Sequence, residues 1–259
     1  MIYLRHIPMD GLENARDLGG YATADGGATR YGVFLRTELP ENLSEADLAL
    51  LRRYNVVRSV DLRGVSEIER EPSELASVPG IEYISLPMFD RAAAAGSASE
   101  RRPEPPKDFK FPDWNVTYVK MLETHKDWPK PLMEAMAGPD GCVHFNCYTG
   151  KDRTGLCAAM LLSIAGVSRD DICADYSLSM AYLGRRYAVM AERFAAFAVI
   201  EDGRPALSGG FFATLPTYMR RTLEHLDSAY DGMVPYLRAC GVAEETMARI
   251  REKLVVRPA

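Results

Sequence analysis

The chain is short of the residues that usually announce a metal, a membrane or a nucleic-acid partner. Its 259 residues include five cysteines and four histidines, and neither type recurs at the paired spacing of a metal site. The cysteines are too irregular for a disulfide scaffold, so reduced thiols and a cytoplasmic setting are the expectation. Cationic residues do not predominate: 31 Lys and Arg against 36 Asp and Glu give a net charge of −5. That balance argues against a surface for nucleic acid or anionic membrane. No apolar run approaches the roughly 20 residues of a membrane span, and the first ten residues lack the apolar stretch of a signal peptide. No internal repeat is present.

What the chain does have is a 47% hydrophobic composition, enough at this length to bury a full core. Residues 33–36, 56–62 and 81–86 read as short strands, and Ser44 to Tyr54 as a capped amphipathic helix. Further helices are predicted at roughly 216–229, 233–240 and 243–254. Strands alternating with helices predict a single α/β domain over 1–259: a three-layer α/β/α arrangement around a central, mostly parallel sheet. Residues 91–112 are rich in alanine, serine and proline and predict a flexible insertion or a substrate-recognition flap, with Arg101, Arg102 and Lys107 on it. Residues 169–199 predict one or two apolar helices, read as ordinary core packing, followed by Gly203, Gly209 and Gly210 as hinge positions.

The densest chemistry is the run from His144 to Gly155. Cys142 to Phe145 reads as a buried strand, and Thr154 to Gly166 as a buried helix stopped by glycine. A strand–loop–helix junction of this kind turns loop and first-turn N–H groups toward an anion. Gly150 and Gly155 let the backbone approach closely. Arg153, six residues after Cys147, carries a planar fork that can bind two oxygens of a phosphoryl group. Cys147 in that positive field suits a thiolate nucleophile. Thr154 suits a hydrogen bond to its sulfur, and Asp152 suits the general acid and base. Tyr148, Thr149, Gly150 and Lys151 complete the anion-binding turn, with Lys151 expected as extra charge at its rim.

This string resembles the phosphate-binding loop of cysteine-based phosphatases, above all the bacterial tyrosine-phosphatase family whose loop reads His-Cys-x-x-Gly-Lys-Asp-Arg-Thr-Gly. Asn14-Ala15-Arg16-Asp17-Leu18-Gly19-Gly20, Asp61-Leu62-Arg63 followed by Glu67, and Ala229-Tyr230-Asp231-Gly232 resemble further elements of that family. The resemblance implies hydrolysis of phosphotyrosine, and in some members of phosphoserine, phosphothreonine or phosphoinositides, with no metal or cofactor. The partner it implies is thus a phosphorylated protein or a phosphoinositide, and residues 169–215 are implied to form a helical lid over the site, hinged at Gly203, Gly209 and Gly210. One position departs from the pattern: Asn146 stands where the family has histidine, with His144 two residues earlier on the same strand face. His144 is expected to be structural. The general acid is expected to be Asp152, with Asp90 and then Asp113 as competitors. Asn14, Arg16 and Asp17 are expected to form a turn held by Asx hydrogen bonds, with Asp17 or Arg16 bracing the Cys147 loop, and Asp61 to pair with Arg63. Two rival readings are a phosphate-recognition module of weak activity, and another cysteine-loop enzyme such as an arsenate reductase or sulfurtransferase.

Overall fold

Alternation along the strands decides which side chains reach which face. Phe34, Val143 and Phe145 are buried on one side of the central sheet, Leu35 and Cys142 on the other. The computed structural model describes residues 4–89, 113–184, 200–201, 204–205 and 213–257. Its main sheet contains β1 (Arg16–Asp17), β3 (Phe34–Thr37), β4 (Val56–Asp61), β5 (Glu82–Ser85) and β6 (Cys142–Asn146), in the order β1-β3-β6-β4-β5. All neighbours are parallel except β1, which runs antiparallel to β3. A register irregularity between Val56 and Arg58 switches the alternation of β4, so Val56 and Val60 pack on opposite faces. Short pairs lie outside the sheet: β2 (Ala28–Thr29) with β9 (Val255–Val256), and β7 (Ile200–Glu201) with β8 (Arg204–Pro205).

One face is covered by α1 (Glu45–Arg53) and the N-terminal segment, through Leu51, Tyr54, Ile7 and Leu12. Ser44 caps α1 in a reciprocal box with Asp47, as its sequence predicts. The other face packs on α5 (Asp152–Ala165), nearly all of which is buried. Around it lie α4 (Pro129–Ala137), α6 (Arg169–Tyr182), α8 (Met233–Ala239) and α9 (Glu244–Leu254), with α3 (Trp114–Thr124) and α7 (Pro216–Tyr230) packed together beyond. A short α2 (Val65–Arg70) follows β4. Gly166 ends α5 in the left-handed region at φ +83°, where its single N–H is shared between the carbonyls of Leu162 and Ser163. The expected α/β class, parallel sheet and last three helices are therefore observed, whereas α3 and α4 had no counterpart in the sequence reading. Among the described residues no helix is long and apolar enough to cross a membrane. The 91–112 segment and most of 185–212 lie outside the described residues, as do Asp90 and the lid hinges.

Candidate active site

β6 delivers Cys147 to the carboxyl end of the sheet, and the chain turns through Tyr148–Lys151 into α5. This is where ligands sit in open α/β sheets. Cys147 is buried and packs on the same side as Val143 and Phe145, while His144 and Asn146 face the other way. No side chain caps α5, so the N–H groups of its first turn stay open at the mouth of the loop.

The loop carbonyls are drawn outward by donors behind it. Asn14 Nδ2 donates to the carbonyls of Thr149 (3.0 Å) and Gly150 (3.2 Å), Arg36 Nη2 donates to Gly150 (2.8 Å), and Leu39 N donates to Tyr148 (3.1 Å). With the carbonyls held back, the opposing N–H groups are free to turn inward. Gly150 makes this possible at φ +65°, and a Cβ there would lie 2.4 Å from the Thr37 carbonyl oxygen.

Behind the loop sits a buried ionic cluster centred on Asp175 of α6. Arg16 Nε donates to its carboxylate at 2.9 Å, Arg36 Nη1 also donates to it, and Tyr21 OH donates at 3.1 Å. Arg16 further donates to the carbonyl of Asn14 (3.1 Å), to its side-chain Oδ1, and to Ser179 (2.9 Å). Burial alone would raise the Asp175 carboxyl, but the two guanidiniums hold it below the ordinary carboxylate range. Burial lowers Arg36 to about 10. The bracing expected of Arg16 is thus indirect, through Asn14 and Asp175. Asp17 does not brace the loop: its oxygens accept from Gly19 N (2.8 Å) and Gly32 N (2.7 Å), fixing the N-terminal turn.

Arg153 is aligned from the front. Its Nη1 and Nη2 donate to the two oxygens of Glu67 at 2.6 and 3.0 Å, in a bidentate fork. Glu67 also accepts from Gly64 N at the start of α2 (3.0 Å). Desolvation opposes charge on both partners, yet the fork holds Glu67 below its ordinary range and Arg153 above its own. Asp61 sets up this arm. It is fully buried, accepts from Arg63 and from Tyr83 OH (2.7 Å), and Arg63 in turn donates to the carbonyl of Glu71, just past the end of α2, at 2.7 Å. The expected Asp61–Arg63 pair is present as a structural pair.

Asp152, the first residue of α5, is partly exposed. Its Oδ1 accepts from Tyr118 OH, and Lys151 Nζ lies 3.5 Å away. Lys151 is not at the rim. It is 1% exposed, with its ammonium 4.6 Å over the Trp114 ring, and desolvation lowers its pKa. The rim expectation fails because α3 folds over the loop and covers the lysine. Asp113 caps α3 by accepting from Asn115 N (3.0 Å), which gives it a structural task.

Among the described site residues three polar atoms are left over, one of them Arg36 Nε in the cluster behind the loop. Thr154 Oγ1 and Asn146 Oδ1 are buried without a partner among the described residues. Asn146 Nδ2 donates to the Cys147 carbonyl (3.2 Å). His144 is buried between Thr37 Oγ1 (2.8 Å) and Ser59 Oγ (2.9 Å), and desolvation lowers it to about 4, so it is a neutral strand histidine. The sequence reading quoted Glu67 only as part of a motif and missed Asn14 as the loop's direct brace. It also missed Arg36, Asp175, Tyr118 and Tyr176. The one sequence signal for Tyr118 is its four-residue step from Trp114 on one helix face; Tyr176, on α6, has no such signal.

Residues 7–256 match the model of the tyrosine phosphatase family. A Cupriavidus necator protein that carries the name of a tyrosine-protein phosphatase is 30% identical over 242 residues, which cover 90% of this chain and 84% of that one. The tyrosine-protein phosphatase of Nostoc commune is 29% identical over 225 residues, covering 86% and 74%. The triple specificity protein phosphatase PtpB of Mycobacterium tuberculosis is 27% identical over 283 residues, covering 97% and 99%. None of these matches favours the recognition-module, arsenate-reductase or sulfurtransferase readings. The chain belongs to the tyrosine phosphatase family and is a phosphoric monoester hydrolase.

Proposed function

We propose that the chain hydrolyses phosphotyrosine in proteins through a covalent thiophosphate on Cys147. The observation that carries this reading is the buried Cys147 beside an uncapped helix N-terminus and a guanidinium fixed by Glu67. In the first step the Cys147 thiolate attacks phosphorus, forming the S–P bond as the P–O bond to the tyrosine breaks. The electron pair stays on the leaving oxygen, which takes a proton from Asp152. In the second step water attacks phosphorus, its proton passes to Asp152, and the S–P bond breaks to return the thiolate. Arg153 and the loop N–H groups bind the equatorial oxygens in both steps. Thr154 Oγ1, buried without a partner among the described residues, is suited to donate to the sulfur. Tyr148, Thr149, Gly150 and Lys151 shape the cradle through their backbone.

The burial of Lys151 supports an aryl phosphate over a phosphoinositide. A lysine turned under Trp114 toward Asp152 offers no exposed charge for a second phosphate. We further read the chain as one phosphatase domain working in the cytoplasm, supported by the span of the family match and by five free cysteines.

The test is hydrolysis of p-nitrophenyl phosphate with EDTA present, wild type beside Cys147→Ser, followed by phosphotyrosine, phosphoserine and phosphoinositide substrates. Turnover lost in the serine variant and greatest on phosphotyrosine is expected. Undiminished turnover by Cys147→Ser would overturn the nucleophile, and faster release from phosphoinositides would overturn the substrate class.

A further inference from the structure

We propose that Tyr118, backed by Tyr176, is a positioning residue for the proton transfers of Asp152. The proposal rests on the assignment of Asp152 as general acid and base made above. Tyr118 OH donates to Asp152 Oδ1, and the hydroxyls of Tyr118 and Tyr176 lie 2.6 Å apart. Because Tyr118 spends its single proton on Asp152, Tyr176 must be the donor in the second bond. The three groups therefore form a one-way chain from Tyr176 to Tyr118 to Asp152. It joins α6 and α3 to the first residue of α5.

Packing makes this chain rigid. Both tyrosines are essentially fully buried, and their rings meet edge to face at 5.7 Å and 83°. Trp114, one turn before Tyr118, rests against Tyr118 and over Lys151. Tyr176 also lies against Gly155, where an added Cβ would come within 2.9 Å of its ring. Burial and the nearby carboxylate push the Tyr118 hydroxyl well above its ordinary range, so it remains a donor throughout any assay.

The consequence is a division of labour within one carboxyl group. Oδ1 is occupied by Tyr118, which leaves Oδ2 to carry the proton toward the substrate. A donated hydrogen bond favours the carboxylate, the form produced by the first step and needed to accept the water proton in the second. Among the described residues, Lys151 lies 3.5 Å from Asp152 and Arg153 follows it on the same turn. Removing the Tyr118 hydroxyl leaves those two in place, so the tyrosine's share is separable.

The experiment measures kcat/KM against pH for wild type, Tyr118→Phe, Tyr176→Phe, Asp152→Asn and the Tyr118→Phe, Asp152→Asn double variant. Two substrates are used: phenyl phosphate, with a poor leaving group, and p-nitrophenyl phosphate, with a good one. In Tyr118→Phe the basic limb should rise by about one pH unit, the scale of a lost hydrogen bond to a charged group. The kcat on phenyl phosphate should fall about tenfold, with a smaller fall on p-nitrophenyl phosphate and little change in KM. Tyr176→Phe should move the limb the same way by less. Adding Tyr118→Phe to Asp152→Asn should cost no further activity.

A basic limb that survives in Asp152→Asn overturns the acid assignment and the proposal with it. A limb that disappears in Asp152→Asn but stays fixed in Tyr118→Phe overturns the proposal alone, because a merely structural tyrosine would change folded fraction and not the limb. Should Tyr118→Phe fail to fold, the limb of Tyr176→Phe decides, and no displacement there counts against the chain of hydroxyls.

Discussion

Replacing Asp175 with asparagine would test whether the loop is held from behind. Asp175 neutralises two fully buried guanidiniums, Arg16 and Arg36, and accepts from Tyr21 OH. Asparagine keeps the shape but removes the charge and turns an N–H₂ group toward one of the cations. Breaking a buried pair from one side typically costs about 3–5 kcal/mol, because the partner charge is left uncompensated. Here two cations are affected, so the upper part of that range is expected. For a chain of this size the loss corresponds to a drop in Tm on the order of 10 °C. Tyr21→Phe is the control: it removes one neutral donor from the same carboxylate and should cost about 1 kcal/mol. The assay is urea and thermal unfolding followed by far-UV circular dichroism at pH 7.5. Turnover of p-nitrophenyl phosphate would be measured at a temperature where all variants are folded. Because Arg36 also donates to the Gly150 carbonyl, the folded Asp175→Asn protein should lose roughly tenfold or more in kcat from loop displacement alone. If Asp175→Asn were no less stable than Tyr21→Phe, the cluster would not be an electrostatic keystone and the reasoning would be wrong.

Other perturbations probe the remaining supports. Glu67→Gln should lower kcat/KM about 10- to 100-fold, since Arg153 loses its charged fork while keeping its own charge; an unchanged value measured on p-nitrophenyl phosphate would refute the alignment role. Gly150→Ala should destabilise by roughly 1–3 kcal/mol and abolish most turnover, because φ is +65° and the added methyl meets the Thr37 carbonyl; melts matching wild type would contradict this. His144, lowered to about 4 by burial, binds its proton in the unfolded chain between pH 6.5 and 4 but not in the folded one. Its contribution is thus fully present above about pH 6.5 and is lost as pH falls through that window, by about 2 kcal/mol at pH 5. Asp17, raised to about 7 by desolvation, titrates in the opposite sense over the same range. The informative quantity is therefore the difference between wild type and His144→Gln at pH 7 and pH 5: it should shrink on acidification, and parallel losses in both proteins would exclude the histidine as the source.

What could be read from the chain is what depends on neighbours in sequence. The strand before Cys147, the turn at Gly150, the helix ending at Gly166 and the cap at Ser44 are all local bargains between backbone geometry and one or two side chains. Each leaves a pattern within a dozen residues. The supports of the loop leave none. Arg36 and Asp175 are 139 positions apart, Tyr118 and Asp152 34 apart, Tyr118 and Tyr176 58 apart. An aspartate inside a helix, seen alone, looks like a solvated surface residue, because burial of a charge is visible only once its partners are placed around it. Lys151 shows the same limit from the other side. Its position in the motif suggested a charge facing solvent, and only the packing of α3 turns it into a buried cation under an aromatic ring. The reactive residues can thus be written into one contiguous stretch, since they must converge on a single phosphorus atom from one turn of backbone. The residues that fix their geometry need to come from every element around that turn. That difference explains why Cys147 and Arg153 stand out in the sequence, while Arg36, Tyr118 and Asp175 acquire meaning only in the fold, and Asn14 and Glu67, visible as motif members, acquire their tasks there.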